Sequence, residues 1–232
     1  GQQALTEHLL EIPGMTSISL NVNQEKTNVI LGKELINLWG EGHITDYIGA
    51  VQYRISPLSF YQVNPVQTER LYGTALEYAG LTGNETVWDL YCGIGTIGLI
   101  ASRDAREVIS VELNPDAVRD AVTNAKRNQI KNVSFYQNDA GAFMVSMAEK
   151  GEKADIVFMD PPRAGSDEAF LSSVVTLSPK KVVYVSCNPE TLARDLRYLT
   201  KHGYKAEEAW GYDMFAWSEH VETVCLLTQK KA

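Results

Sequence analysis

The sequence predicts an α/β fold: a doubly wound, mostly parallel sheet preceded by a small β-rich segment. Three observations carry this expectation. From about residue 64 onward, short β-branched apolar runs alternate with stretches of helical spacing. Helices of this length between strands imply parallel crossovers, because a parallel strand pair needs a long connection. Before residue 58 there is no such alternation, only short strand-like runs broken by turn residues.

In chain order, "TSISLNVN", "TNVILG", "LINLWG" and "AVQYRIS" between residues 16 and 56 read as strands of a meander or of paired hairpins, separated by Asn, Gly and Glu-rich turns. A helix over "NPVQTERLYGTALEYAG" leads into strand "TVWDLY", a glycine turn and helix "TIGLIASRD". Strand "EVISVEL", helix "PDAVRDAVTNAKRNQ", strand "VSFYQND" and helix "AGAFMVSMAEKG" follow. Strand "ADIVFMD", helix "DEAFLSSVVTL", strand "KVVYVSC" and helix "TLARDLRYLTKHG" complete the alternation, and "HVETVCLLTQ" reads as one more strand near the edge. The expected division is a β-rich segment at 1–58 and an α/β domain at 59–232, with no internal repeat or low-complexity stretch.

Composition narrows the class. The 232 residues are 44% hydrophobic and 22% charged, ordinary for a globular protein. No run approaches the roughly 18 apolar residues of a membrane span, and "GQQALTEHLLEIPG" lacks the basic-then-apolar plan of a signal peptide. The three cysteines, Cys92, Cys187 and Cys225, are odd in number and widely spaced, without metal-ligand spacing. A reduced, cytoplasmic, monomeric protein without a metal or iron–sulfur cluster is expected. The net charge of −8 sits awkwardly with a nucleic-acid partner, which usually meets a basic surface.

In a doubly wound sheet, ligands lie beyond the carboxyl ends of the strands. Those ends carry Asp89 to Gly93, Glu112, Asp139, Asp160-Pro161-Pro162-Arg163 and Ser186-Cys187-Asn188-Pro189. Gly93, Gly95 and Gly98 satisfy G-x-G-x-x-G, with Glu112 nineteen residues after Gly93, which fits a dinucleotide fingerprint. Asp89, at the strand end four residues before Gly93, would repel a pyrophosphate but suit the ammonium of a methionine moiety. Glu112 suits either cofactor, since both contain a ribose diol. S-adenosyl-L-methionine therefore fits better than NAD, and an NAD-dependent oxidoreductase is the competing reading from another class. Cys187 falls on a turn between a strand and a helix, where the helix N-terminus and nearby Arg163 are expected to lower its pKa. Cys225 in "TVCLLT" and Cys92 in the glycine turn read as packing residues.

"FYQVNPVQTERLY" (60–72), "DPPRAG" (160–165), "VVYVSCNPET" (182–191) and "HVE" (220–222), in this order, resemble the RNA uridine-5 methyltransferase family, which makes 5-methyluridine in ribosomal and transfer RNA. The resemblance runs from about residue 58 to residue 228, and the pair "DPPRAG…SCNPET" is its most specific part. One departure is Ala216, where the family usually has Pro, in the loop before Glu222. The resemblance implies a Rossmann-like class I methyltransferase fold, S-adenosyl-L-methionine as cofactor and an RNA substrate, 23S ribosomal RNA ahead of transfer RNA. It implies Cys187 as nucleophile and Glu222 as proton acceptor, with Asp160 and Arg163 beside them. Gln62, Asp89, Tyr91, Gly93, Gly95, Thr96, Glu112, Asp139 and Asp160 are implied at the cofactor. Family members are longer and carry an N-terminal RNA-binding β-barrel, so this chain is expected to be a catalytic fragment.

The chemistry needs those residue types. Carbon 5 of uracil is a poor nucleophile, and a thiolate adding to carbon 6 turns it into a carbanion equivalent. After methylation a base removes the carbon 5 proton and the thiolate leaves, so a cysteine, a base and a sulfonium suffice without a metal. RNA cytosine-5 methyltransferases commonly carry a second cysteine in the loop after the fourth strand, where this chain has Pro161-Pro162-Arg163. Adenine amino methyltransferases have a base-stacking aromatic at the position of Arg163. A non-catalytic RNA-binding module would be more basic.

Overall fold

The computed structural model describes residues 1–26, 30–32 and 34–230. Its elements are α1 (Gln2–Leu10), β1 (Ser17–Val22), β2 (Glu34–Gly40), β3 (Ile44–Ile48), β4 (Val51–Ile55) and α2 (Pro65–Ala79). They continue with β5 (Thr86–Leu90), α3 (Thr96–Ala101), β6 (Glu107–Glu112), α4 (Pro115–Arg127), β7 (Val133–Gln137) and α5 (Ala140–Lys150). The last are β8 (Ile156–Met159), α6 (Glu168–Leu177), β9 (Lys181–Ser186), α7 (Pro189–Lys201), β10 (Tyr204–Tyr212) and β11 (Glu222–Gln229).

A seven-stranded sheet has the order β10-β11-β9-β8-β5-β6-β7. The five strands from β9 to β7 pair in parallel, whereas β11 is antiparallel to both neighbours. Both faces are covered, so alternate residues of one strand serve opposite cores. Val87, Ile156, Phe158 and Val183 pack with α2, α3 and α4, while Trp88, Val157, Met159 and Tyr184 pack with α5, α6 and α7. Burial on both sides is why these strands read as unbroken apolar runs. Among the described residues no helix is long and apolar enough to cross a membrane.

Three helices open on Asn-Pro. Asn64, Asn114 and Asn188 accept hydrogen bonds from the backbone N–H of Gln67, Asp116 and Glu190, and proline takes the first helical position. Each cap contributes about 1 kcal/mol, and proline costs nothing where the N–H has no helical partner. The Asn188 cap also fixes the backbone directly after Cys187.

Several elements differ from expectation. Of "TNVILG", residues 27–29 lie outside the described residues and Ile30, Leu31 and Gly32 are not in a strand; β1 pairs instead with β2, from Glu34. Helix α1 was not foreseen, and it buries no residue. Strands β3 and β10 were not foreseen either. β10 is an edge strand exposed over most of its length, so its "YKAEEAWGY" has no apolar face to announce it. It covers β11, which is therefore not outermost. The β3–β4 hairpin buries Ile48, Val51, Tyr53 and Ile55 in the core shared with α2 and β5. Asn124 of α4 and Asn128, which caps its carboxyl end, accept from the N–H of Arg54 (2.7 Å) and Gln52 (2.9 Å), and Arg54 pairs with Asp120 at 2.8 Å. The division expected at residue 58 thus crosses one continuous core.

Candidate active site

A cavity of about 450 Å³ opens at the carboxyl ends of β5, β6, β8 and β9. Its walls include Gln62, Tyr91, Gly93, Glu112, Asp139, Asp160, Cys187 and Glu222. Phe60, Leu113, Asn138 and the two prolines after Asp160 also line it.

One end is built by the glycine turn. Glu112 is held by two backbone donors, Gly93 N–H at 3.0 Å and Asn114 N–H at 2.7 Å. Asp139 caps α5 by accepting from the Ala142 N–H at 2.9 Å. Tyr91 adopts a φ of +67° and rests its ring 5.7 Å from that of Phe170. Gln62 is only 6% exposed, and among the described residues its Oε1 has no hydrogen-bond partner. A buried orphan acceptor in a cavity wall is costly unless a ligand supplies the donor.

Asp89 is not at this surface. It is the fourth residue of β5, 1% exposed, and its carboxylate accepts from the Gly98 N–H at 2.8 Å. A Cβ on Gly98 would stand 2.7 Å from that oxygen, so glycine here lets helix α3 approach the strand. Burial pushes the Asp89 carboxyl up to about 7; the Gly98 N–H opposes the shift and the Glu112 charge adds to it. Asp89 therefore braces the glycine turn from below, and the expectation that it meets a ligand from the strand end is corrected. Gly95 and Thr96 likewise lie off the cavity, as the N-cap and first residue of α3. The Thr96 carbonyl accepts from the Tyr53 hydroxyl at 2.9 Å.

The other end gathers the titratable groups. β9 and β11 pair with Ser186 opposite Thr223, so Cys187 and Glu222 follow at the same end of adjacent strands. Asp160 immediately follows β8, the neighbour of β9 on the other side. Burial pushes the Cys187 thiol up, the Glu222 and Asp160 charges push it further, and Arg163 opposes them. The expected lowering of the thiol pKa is thus corrected: burial and two acids outweigh one cation. Burial also pushes Glu222 up against the pull of Arg163. Asp160 is raised to about 8, mainly by burial, then by Glu222 and Asp89. A carboxyl raised in this way keeps its proton well above the ordinary carboxylate range and, protonated, can donate a hydrogen bond.

Arg163 is exposed at the mouth and does not line the cavity. Its guanidinium reaches His220 Nδ1 at 3.3 and 3.4 Å, and its carbonyl accepts from Asn188 Nδ2 and Thr191 Oγ1. Cys92 and Cys225 are buried and absent from the cavity wall.

The sequence reading missed Phe60, although it lies two residues from Gln62 in the same motif. It also missed the clamp on the 160–166 loop. Arg194 donates to the carbonyls of Ala164 and Ser166 (3.0 and 2.9 Å), and buried Asp195 accepts from the Ser166 N–H and the Tyr184 hydroxyl (2.9 and 2.6 Å). Nothing in "TLARDLRYL" distinguishes these two from solvent-facing helix charges.

The strand order, with one antiparallel strand inserted next to the edge, and a cavity at the strand ends define a Rossmann-like class I methyltransferase fold. The family model described as tRNA (uracil-5-)-methyltransferase matches residues 10–230. The chain belongs to that family. An RNA methyltransferase of Halalkalibacterium halodurans is 50% identical over 219 residues, covering 94% of this chain and 48% of the relative. One from Clostridium tetani is 49% identical over 218 residues, covering 94% and 47%. Both relatives are named as uncharacterized RNA methyltransferases. The crystal structure of Pyrococcus abyssi tRNA (uracil-54, C5)-methyltransferase with S-adenosyl-L-homocysteine superposes with a TM-score of 0.77 at 32% identity. It is covered over 94% of this chain and 52% of its own. The chain thus spans about half the length of the relatives it matches.

Proposed function

We propose that the protein methylates carbon 5 of a uridine in RNA, with S-adenosyl-L-methionine as donor and Cys187 as covalent nucleophile. One observation carries the reading: a thiol and two carboxyls of raised pKa converge at one end of a cavity whose other end offers fixed acceptors. The orphan Oε1 of Gln62 suits the donor's ammonium, the two-point-held Glu112 suits its ribose diol, and Asp139 suits the adenine amine. When bound, the sulfonium supplies an electrophilic methyl group.

The chain's own residues do the rest. Cys187 gives its proton to solvent and its sulfur bonds to carbon 6 of the uracil, moving the electron pair of the carbon 5–carbon 6 double bond toward the carbonyl oxygen. Protonated Asp160 is suited to donate a hydrogen bond to that oxygen as charge develops there. Glu222, ionised, takes the carbon 5 proton, and the electron pair expels the Cys187 sulfur. Ribosomal RNA is the first substrate to assay and transfer RNA, named in the P. abyssi enzyme, the second.

The test separates the two roles. With donor and substrate RNA, Cys187→Ala should transfer no methyl group, while S-adenosylhomocysteine still binds. Glu222→Gln should methylate and then stall, because a positioned base contributes typically about 10²–10⁴-fold, leaving a protein–RNA band on a denaturing gel. A band that persists in the double variant with Cys187→Ala would assign the nucleophile elsewhere.

A further inference from the structure

On the loop that leads into the cavity-wall residue Glu222, one large aromatic side chain faces water entirely. Trp217 is fully exposed (104%), and its φ of +70° is a conformation that bulky residues rarely adopt. Its loop is nonetheless tied down at both ends. Met214, 2% exposed, is held by Asn64 Nδ2 donating to its carbonyl at 3.2 Å and by Thr68 Oγ1 donating to its sulfur at 3.8 Å. Glu222, 5% exposed, closes the other end inside the cavity wall. Between them a turn is built on Ser218, whose N–H and hydroxyl both donate to the Phe215 carbonyl at 3.1 and 2.7 Å. The His220 N–H then donates to the Ser218 hydroxyl at 3.2 Å. The His220 ring stands edge-on to Phe215 at 6.2 Å and meets Arg163 at 3.3 Å. The loop thereby joins the "DPPRAG" segment at the mouth, with Trp217 at its tip, five residues from Glu222.

We propose that Trp217 is a stacking platform for an unpaired base that flanks the target uridine. This rests on the RNA methylation reading above. Stacking suits a chain of net charge −8, because aromatic faces grip bases without phosphate neutralisation. His220, three residues on in the same loop, and Arg163, which it meets at 3.3 Å, favour RNA over a protein surface as the occupant, since both can face a phosphate. Ala216, which precedes Trp217 where the family pattern has proline, leaves this tip free of a fixed φ at that position.

The test uses the intact natural protein with unmodified transcripts of 23S ribosomal RNA and of a transfer RNA. Trp217→Ala should raise the KM for the methylated transcript about 10- to 100-fold, the range of one lost base–aromatic stack, with kcat changed far less. S-adenosylhomocysteine binding, followed by calorimetry, should be unchanged and reports that the variant folds. Trp217→Phe should restore most of the affinity and Trp217→Leu should not. A KM within twofold of wild type for Trp217→Ala, or rescue by leucine equal to that by phenylalanine, overturns the stacking role. Should Trp217→Ala lose the cofactor too, the phenylalanine and leucine variants decide. Wild-type protein that methylates neither transcript overturns the RNA methylation reading itself, which an active wild type with an indifferent Trp217→Ala does not.

Discussion

The Cys187 thiol is held up by burial and by the Glu222 and Asp160 charges, while the proposed reaction consumes its thiolate. Each neighbour therefore moves it in a known direction. The rate of alkylation by iodoacetamide should keep rising with pH beyond the usual thiol range of about 8.5. Glu222→Gln should move that profile to lower pH by removing a like charge, and Arg163→Ala should move it higher by removing the one opposing cation. Mass spectrometry of the alkylated peptides checks this, with buried Cys92 and Cys225 as unreactive controls; identical profiles in all three proteins would exclude the charge coupling. Asp160 gives a second test. Its pKa rises from an ordinary 3.8 to about 8 on folding, so between those values the native state holds more protons than the unfolded chain. Stability from this group is complete below about pH 4 and is lost as pH rises through 8. Asp160→Asn, which cannot ionise, should raise Tm above pH 8 and not at pH 4. A gain of about 1 kcal/mol would appear as roughly 2–4 °C in a calorimetric scan of a chain of this size.

At the scale of elements, helix α7 does two things for the site. Its cap fixes the turn at Cys187, and its side chains Asn188, Thr191, Arg194 and Asp195 grip the loop that carries Asp160 and Arg163. The grip requires close approach at Gly165, where φ is +74° and a Cβ would meet Arg194 Nη2 at 2.6 Å and Asp195 Oδ2 at 2.8 Å. Gly165→Ala should therefore cost at least the roughly 1–3 kcal/mol of a strained backbone position, measured by urea unfolding. Asp195→Ala should cost about 2 kcal/mol or more, since it leaves the buried Ser166 N–H and the Tyr184 hydroxyl without their acceptor. If the clamp also aligns the site, both variants should lose methyl transfer at temperatures where they remain folded.

For the whole molecule, charge sets the expectation. A chain of net charge −8 neutralises few phosphates, so RNA binding by residues 1–232 should depend weakly on salt. A slope of log K against log salt shallower than about −3 corresponds to three or four phosphate contacts. Fluorescence anisotropy across a potassium chloride series measures it, and a slope of about −6 or steeper would mean that a local basic surface dominates despite the net charge.

The parallel sheet was legible because its strands are buried on both faces and three of its helices open on Asn-Pro, features written in consecutive residues. The short motifs around Asp160, Cys187 and Glu222 were legible for the same reason, each being a contiguous turn at a strand end. What crossed between elements was not. Asp89 reads as a strand-end ligand, yet helix α3 packs over it and turns its carboxylate to Gly98. The Cys187 thiol reads as activated by a helix and an arginine, but its protonation depends on two acids delivered by β8 and β11, far away in the chain. Strand β10 has no apolar face of its own and forms only because β11 offers an edge. The sequence alone determined the alternating helices and buried strands and the candidate residue types, since periodicity and turn chemistry are local; only the tertiary structure decided which carboxyls face the cavity and how strongly each holds its proton, because burial and Coulomb interaction depend on distances in space.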